Sequence, residues 1–399
     1  MAMTSYDDPT TFRGQLQRGR GVAARRAASV PGAGDAVYEC VIVDPRWDRQ
    51  VETRDVYLAA LVRELALPLV PLEQHLAAFD GDDPDDVGLL LDVLALLASA
   101  GAPDAVEVMR HYVRNGKHWN AAVNALAFVD AAEAPGVRDD LIDEAVACRT
   151  DDELQEVVDT GDDSWMRGLL ERDLRIRGFY DDGDESRHPA KAAGAGCRQW
   201  LRTIAEAPRN ELLQQVTQGS CSRRWALEEL GRRGDGSVLD LIEDPSLHNP
   251  AGWIPGAPQA LGHLGAAAVP RARLWLSRQD VTAELGLRVL AGSGDYTDVP
   301  VLVAALRNAL DDESWCFAEI PAEGLGRLQV SEALPLLSAA WEQTAHSYAR
   351  GPFLTALHRC VPEAAQTTAA ADEGLSDCEP TVREIAQDLG EMWGVTACS

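Results

Sequence analysis

Four stretches in the back half of the chain repeat one pattern: Trp225-Ala-Leu-Glu-Glu-Leu-Gly231, Pro258-Gln-Ala-Leu-Gly-His-Leu-Gly265, Leu285-Gly-Leu-Arg-Val-Leu-Ala291 and Ala322-Glu-Gly-Leu-Gly-Arg-Leu328. Each is a helical stretch of small residues and leucines. Each is followed by a second apolar stretch: Val238 to Ile242, Val269 to Leu276, Val299 to Leu306 and Ala333 to Ala340. The units recur every ~25–40 residues, the range of helical repeat arrays. One such unit cannot cover its own apolar face, so neighbours must stack. The spacing therefore predicts an all-α chain, a right-handed α-α superhelix of helix pairs. A surface of this kind carries no chemistry by itself, and function has to be read from particular side chains.

Charge narrows the partners. The 399 residues hold 36 basic and 64 acidic side chains, a net charge of −28. That excess repels nucleic acid and anionic membranes and favours a basic protein or peptide. The basic residues are almost all arginine, with lysine only at Lys117 and Lys191, a bias that points with the abundant alanine to a GC-rich bacterial genome. No apolar run reaches the ~18–20 residues of a membrane helix, and Val87 to Ala98 is interrupted by Asp92. The eight cysteines form no C-x-x-C pair and no secretory apolar segment is seen, so free thiols in a cytoplasmic protein are expected.

Along the chain, residues 1–34 read as a disordered basic tail. They hold Arg13, Arg18, Arg20, Arg25 and Arg26 against Asp7 and Asp8 and show no sustained apolar period. Residues 35–80 read as an N-terminal cap, with a strand expected over Val37 to Val43. A first group of helical repeats is expected over 81–178, an acidic Gly-rich loop or hinge over 179–196, and a second group with a C-terminal cap over 197–399.

The units Ala226-Leu-Glu-Glu-Leu-Gly-Arg-Arg-Gly-Asp235 and Leu290-Ala-Gly-Ser-Gly-Asp-Tyr-Thr-Asp-Val-Pro-Val-Leu302 resemble HEAT repeats, in particular the short bacterial kind shared with phycobilisome-lyase-type HEAT-like proteins. The shared pattern is a first helix ending in Leu-Gly, a turn carrying Asp, and a second helix opening near Val-Pro. The resemblance covers about residues 85–345 and is clearest over 222–340. It implies a HEAT-like solenoid with an irregular N-terminal cap, used as a scaffold or adaptor. Some HEAT-like relatives are enzymes, but the His-Glu dipeptides that hold iron in the hydroxylase branch are missing, since none of the eight histidines precedes Glu. The acidic body also departs from the basic face of HEAT-like DNA glycosylases.

No Walker A, G-x-S-x-G, G-x-G-x-x-G or H-E-x-x-H pattern occurs, so no catalytic residue, metal or cofactor is assigned. His111 and His118 are separated by Asn115-Gly116, which should end the helix between them. The acidic run Asp80 to Asp86 lacks the Gly and Glu of a calcium loop and serves better as a helix cap. The most distinctive non-repeat stretch is Asp44-Pro-Arg-Trp-Asp-Arg-Gln-Val-Glu-Thr-Arg54, which sets one tryptophan among charges of both signs. Trp and Arg are favoured interface anchors. Partner contacts are therefore expected at Arg46, Trp47, Asp48 and Arg49, and at Trp225, Trp253 and Trp315 in the repeats. Local packing of Trp47 and pairing of its charged neighbours is the competing reading of that stretch. The sequence favours a non-enzymatic scaffold that binds a protein or peptide along the concave face. Alternatives are a HEAT-like enzyme with an unlocated pocket and an acidic inhibitor or immunity-type protein that neutralises a basic partner.

Overall fold

Apolar residues recur at three- and four-residue intervals through most of the chain, and that period is satisfied by helices. The computed structural model describes residues 6–49, 51–78, 83–126, 136–150, 153–154, 203–218, 222–249, 254–278 and 280–392. Among them every regular element is helical, with 21 α-helices and short 3-10 turns. None of these helices is long and apolar enough to cross a membrane. The chain divides into two compact units. The first takes Met1–Glu185, Ala345–Tyr348 and Asp372–Ser399, and the second Ser186–Thr344 and Ala349–Ala371.

The first unit opens with α1 (Phe12–Gln17), α2 (Gly21–Arg26) and α3 (Ala33–Ile42), followed by α4 (Asp55–Glu64) and α5 (Val70–Ala78). It continues through α6 (Asp85–Ser99), α7 (Pro103–Asn115), α8 (Trp119–Ala125) and α9 (Val137–Cys148). Helix α6 is its spine, packing on α3, α4, α7 and α8 and burying Leu90, Leu91, Val93, Leu94 and Ala95. Two expectations fail here. The stretch read as a strand is helix α3, because Val37, Cys40 and Val41 fall on one buried helical face. Residues 12–29, read as part of a disordered tail, form α1, α2 and a 3-10 turn that bury Leu16, Ala23 and Ala27. Composition suggested disorder because the arm is rich in arginine, and the partners of Arg20 and Arg25, Glu373 and Asp372, lie far along the sequence.

The second unit holds α10 (Arg209–Thr217), α11 (Arg223–Arg232), α12 (Ser237–Glu243), α13 (Ala257–Leu264) and α14 (Val269–Trp275). Then come α15 (Val281–Ser293), α16 (Val299–Asp311), α17 (Trp315–Arg327), α18 (Leu334–Gln343) and α19 (Arg350–Cys360). Packing is sequential: α11 meets α13, α13 meets α15, α15 meets α17 and α17 meets α19. Close approach is built in at Gly324, where a Cβ would lie 2.7 Å from the Ala291 Cα. Helices α14, α16 and α18 open the same way, with a 3-10 turn leading into a helix whose first turn carries proline. There proline's missing N–H costs nothing and its φ is already helical.

Helix α20 (Ala365–Gly374) follows, and the chain rejoins the first unit from Asp372, ending in α21 (Pro380–Met392). Residues 372–392 thus belong to the same compact unit as the N-terminal helices. The expected hinge at 179–196 lies outside the described residues.

Candidate functional site

Between α3 and α4 the described residues form no regular element, and side chains fix their course. Pro45 supplies no amide hydrogen and restricts the residue before it. The buried Asp44 carboxylate then organises the loop. It accepts from the Arg46 amide at 2.9 Å and from Arg46 Nε and Nη2 at 3.0 and 2.7 Å, and Arg49 Nε stands 3.3 Å away. Arg49 also donates to the Asp85 carbonyl at 3.4 Å, tying the loop to the start of α6. The Tyr6 hydroxyl donates to the Pro45 carbonyl.

Beneath the loop lies a buried polar anchor. Glu52 and Arg54 have fully buried side chains. Glu52 Oε2 accepts from the Trp47 amide at 3.1 Å and from Arg54 Nη2 at 3.3 Å. Its Oε1 bonds His346 Nδ1 at 2.6 Å and the Ser347 amide at 3.1 Å. Arg54 Nη1 donates to Ser347 Oγ at 2.8 Å and Cys378 Sγ at 2.9 Å, and Glu379 Oε1 lies 3.5 Å away. Glu379 accepts from the Ser347 hydroxyl and from Thr53 N and Oγ1 at 3.1 and 3.2 Å. Three segments, 44–54, 345–348 and 377–379, meet on one carboxylate–guanidinium pair.

The N-terminal arm joins the same unit through its arginines. Arg20 forms a bidentate pair with Glu373 at 2.7 and 2.8 Å, and both side chains are buried. Arg25 pairs with Asp372 at 2.6 Å. Gly19 accepts the Cys378 amide at 3.0 Å while holding a φ of +66°. A Cβ there would collide with Cys378 Sγ at 2.4 Å, so both the conformation and the space require glycine.

Serine, cysteine, histidine and two glutamates in contact invite a nucleophile reading, but the hydrogen bonds argue otherwise. The Ser347 hydroxyl is committed to Glu379, and His346 bonds Glu52 through the nitrogen that faces it. Glu52, Arg54 and Ser347 are enclosed by protein. A charge buried in this way needs partners, and both Glu52 oxygens and both terminal Arg54 nitrogens have them. The arrangement positions the loop above it.

Neighbouring groups follow the same dry environment. Burial pushes the Cys40 thiol up to about 12 and the Tyr57 phenol well above its usual range. Asp92 on α6 is raised to about 6, mainly by burial and then by the Asp55 carboxylate, with Arg46 opposing. Among the described residues no group of three or more His, Cys, Asp and Glu could hold a metal ion.

Of the residues expected to meet a partner, Arg46, Trp47, Asp48 and Arg49 sit together on the anchored loop. Trp47 is 38% exposed, while Arg46 and Arg49 are spent on Asp44. Trp225 is half-buried beneath the Arg224 guanidinium, 5.1 Å from its ring centre. Trp315 is only 4% exposed and belongs to the second unit's core, because it opens α17 on its inward face. It is withdrawn as a partner contact. Trp253 lies outside the described residues. The sequence reading missed Arg54, His346, Ser347, Cys378 and Glu379, since no local pattern links residues so far apart. No protein-family model matches the chain, and no curated protein matches its sequence.

Proposed function

We propose that this protein is a non-enzymatic cytoplasmic scaffold that binds a basic protein or peptide, with the 44–54 loop as a contact surface. The observation that carries the reading is the anchor: buried Glu52 and Arg54 hold a surface loop that has no secondary structure of its own. A loop held in this way loses little conformational entropy on binding. The net charge of −28 supports a basic partner. Free cysteines at Cys40, Cys148, Cys316, Cys360 and Cys378 fit a reducing compartment. The alternate packing of α11, α13, α15, α17 and α19 supports stacking of helix pairs as a HEAT-like solenoid, whose concave face would add contact area. A photo-crosslinker placed at position 43, exposed at the start of the same loop, should trap one protein in the native host. Trp47→Ala should lose that protein while Trp225→Ala retains it. Equal retention by both variants would sink the assignment of the loop.

A further inference from the structure

We infer that the partner segment lies across Trp47 and Tyr348, and that it is a basic stretch carrying apolar side chains. This rests on the reading of the 44–54 loop as a contact surface.

Three observations place the platform. First, Glu52 brings two distant segments side by side, because the Trp47 and Ser347 amides donate to the two oxygens of one carboxylate, each at 3.1 Å. Trp47 and Tyr348 therefore flank the same buried group. Second, both are exposed, at 38% and 51%. Val43 and Val51 on the same loop are exposed as well. Exposed apolar side chains on one loop and on the segment joined to it mark an interaction surface better than the same residues scattered singly. Trp and Tyr on a rigid base are the side chains that most often dominate binding energy.

Third, the local charge selects the partner. The loop's own cations, Arg46 and Arg49, are committed to Asp44. Arg49 reaches across to the α6 start, where Asp83, Asp85 and Asp86 stand exposed. The positive end of α6 tempers these carboxylates and still leaves a negative rim beside Trp47. An acidic peptide or a nucleic acid meets repulsion there. A segment alternating arginine or lysine with leucine or valine places apolar groups on the aromatics and cations on the rim.

The test is fluorescence anisotropy on the full chain with three short fluorescein-labelled peptides, alternating Arg-Leu, Arg-Ser and Glu-Leu. The Arg-Leu peptide should bind, the Arg-Ser peptide should bind at least about tenfold more weakly, and the Glu-Leu peptide should not bind. Trp47→Ala and Tyr348→Ala should each weaken the Arg-Leu peptide about tenfold, as loss of an anchor does. They should leave the Arg-Ser peptide unchanged. The triple change Asp83→Asn, Asp85→Asn and Asp86→Asn should weaken both cationic peptides and flatten their salt dependence. Val51→Ser provides a second, charge-neutral apolar disruption should Trp47→Ala fold poorly. Equal binding of Arg-Leu and Arg-Ser peptides, unmoved by Trp47→Ala, overturns the inference and leaves only diffuse charge attraction. Binding of Glu-Leu that Trp47→Ala abolishes overturns the basic chemistry but keeps the loop as a contact surface. If no peptide responds to the loop variants and the partner crosslinked in the host is retained by Trp47→Ala, both readings fall.

Discussion

Both units link neighbouring helices by polar contacts, as Arg114 does to Glu144 and Arg149 to the Val113 carbonyl in the first, but the first also joins segments far apart in the sequence. In the second, the links join neighbours. Arg273 to Asp298, Trp275 to Glu243 and Arg327 to the Ala291 carbonyl span 25, 32 and 36 positions. Several of these side chains are part-exposed, and Arg327 also caps the end of α15 through the Leu290 and Gly294 carbonyls. In the first unit, Glu52 to His346, Arg54 to Cys378 and Arg20 to Glu373 span 294, 324 and 353 positions, and all are buried. A local rule can be repeated and is tolerant of loss at any one link. A single buried junction concentrates cohesion in a few side chains, and removing one strands the others.

The largest expected effect tests that junction. Arg54→Ala leaves Glu52 and Glu379 buried without their guanidinium, and breaking a buried pair from one side costs about 3–5 kcal/mol. Denaturant unfolding followed separately for each unit should show the loss in the first and little in the second. The matching change in the second unit, Arg273→Ala, should cost less because that arginine is 40% exposed at its side chain. Equal losses would erase the contrast.

Next is the arm. Arg20→Ala strands Glu373, whose side chain is only 8% exposed, and should cost about 3 kcal/mol. Deleting residues 6–30 should cost more than this substitution alone, since Leu16, Ala23 and Ala27 are also buried. A deletion that leaves the unfolding midpoint of the first unit unchanged would restore the picture of a loose tail.

The contrast explains what could be read in advance. The helices of the second unit were legible because each carries its own signal: the Leu-Gly ending at Leu230-Gly231, the Val-Pro opening at Val299-Pro300, the Asp-bearing turn at Asp295. Helices α6, α7 and α9 were legible from their apolar period. The loop at 44–54 stood out because one tryptophan sat among mixed charges. Its anchor could not be read, since nothing near Glu52 announces His346 and nothing near Arg20 announces Glu373. For the same reason the arm's arginines looked like a solvated basic tail, and Val37, Cys40 and Val41 fitted a strand as well as a helix over so short a run.

Acid and base should separate the units further. In the second, a hydrogen bond from Arg209 holds Asp235 down to about 2, and Arg273 and Arg232 lower Asp298 and Glu229. A lowered carboxylate stabilises the fold above its unfolded value of about 4, and that contribution is lost as pH falls through the folded value. The second unit should therefore weaken between about pH 4 and pH 2. Asp92 in the first unit has the opposite sign. Raised to about 6, it imposes no cost below about pH 4, a growing cost as pH rises to 6, and a constant cost above. Asp92→Asn should stabilise the first unit by about 1–2 kcal/mol at pH 7, allowing for partial exposure, and should do nothing at pH 4. A gain that is the same at both pH values would show that packing, not ionisation, sets the cost.

The smallest effect on stability belongs to the residue placed at the contact surface. Trp47 is held in place through its backbone amide, which donates to Glu52, and that bond survives substitution of the side chain. The ring is 38% exposed and sits outside the buried junction. Trp47→Ala should therefore change unfolding of the first unit by no more than about 1 kcal/mol, toward the range of surface changes away from packed features. Glu52→Gln weakens the carboxylate that receives the same amide and should destabilise strongly while leaving the ring intact. Measured side by side, the two variants separate holding the loop from being held by it. If Trp47→Ala destabilises as much as Glu52→Gln, the tryptophan is part of the junction, and its exposure serves packing instead of recognition.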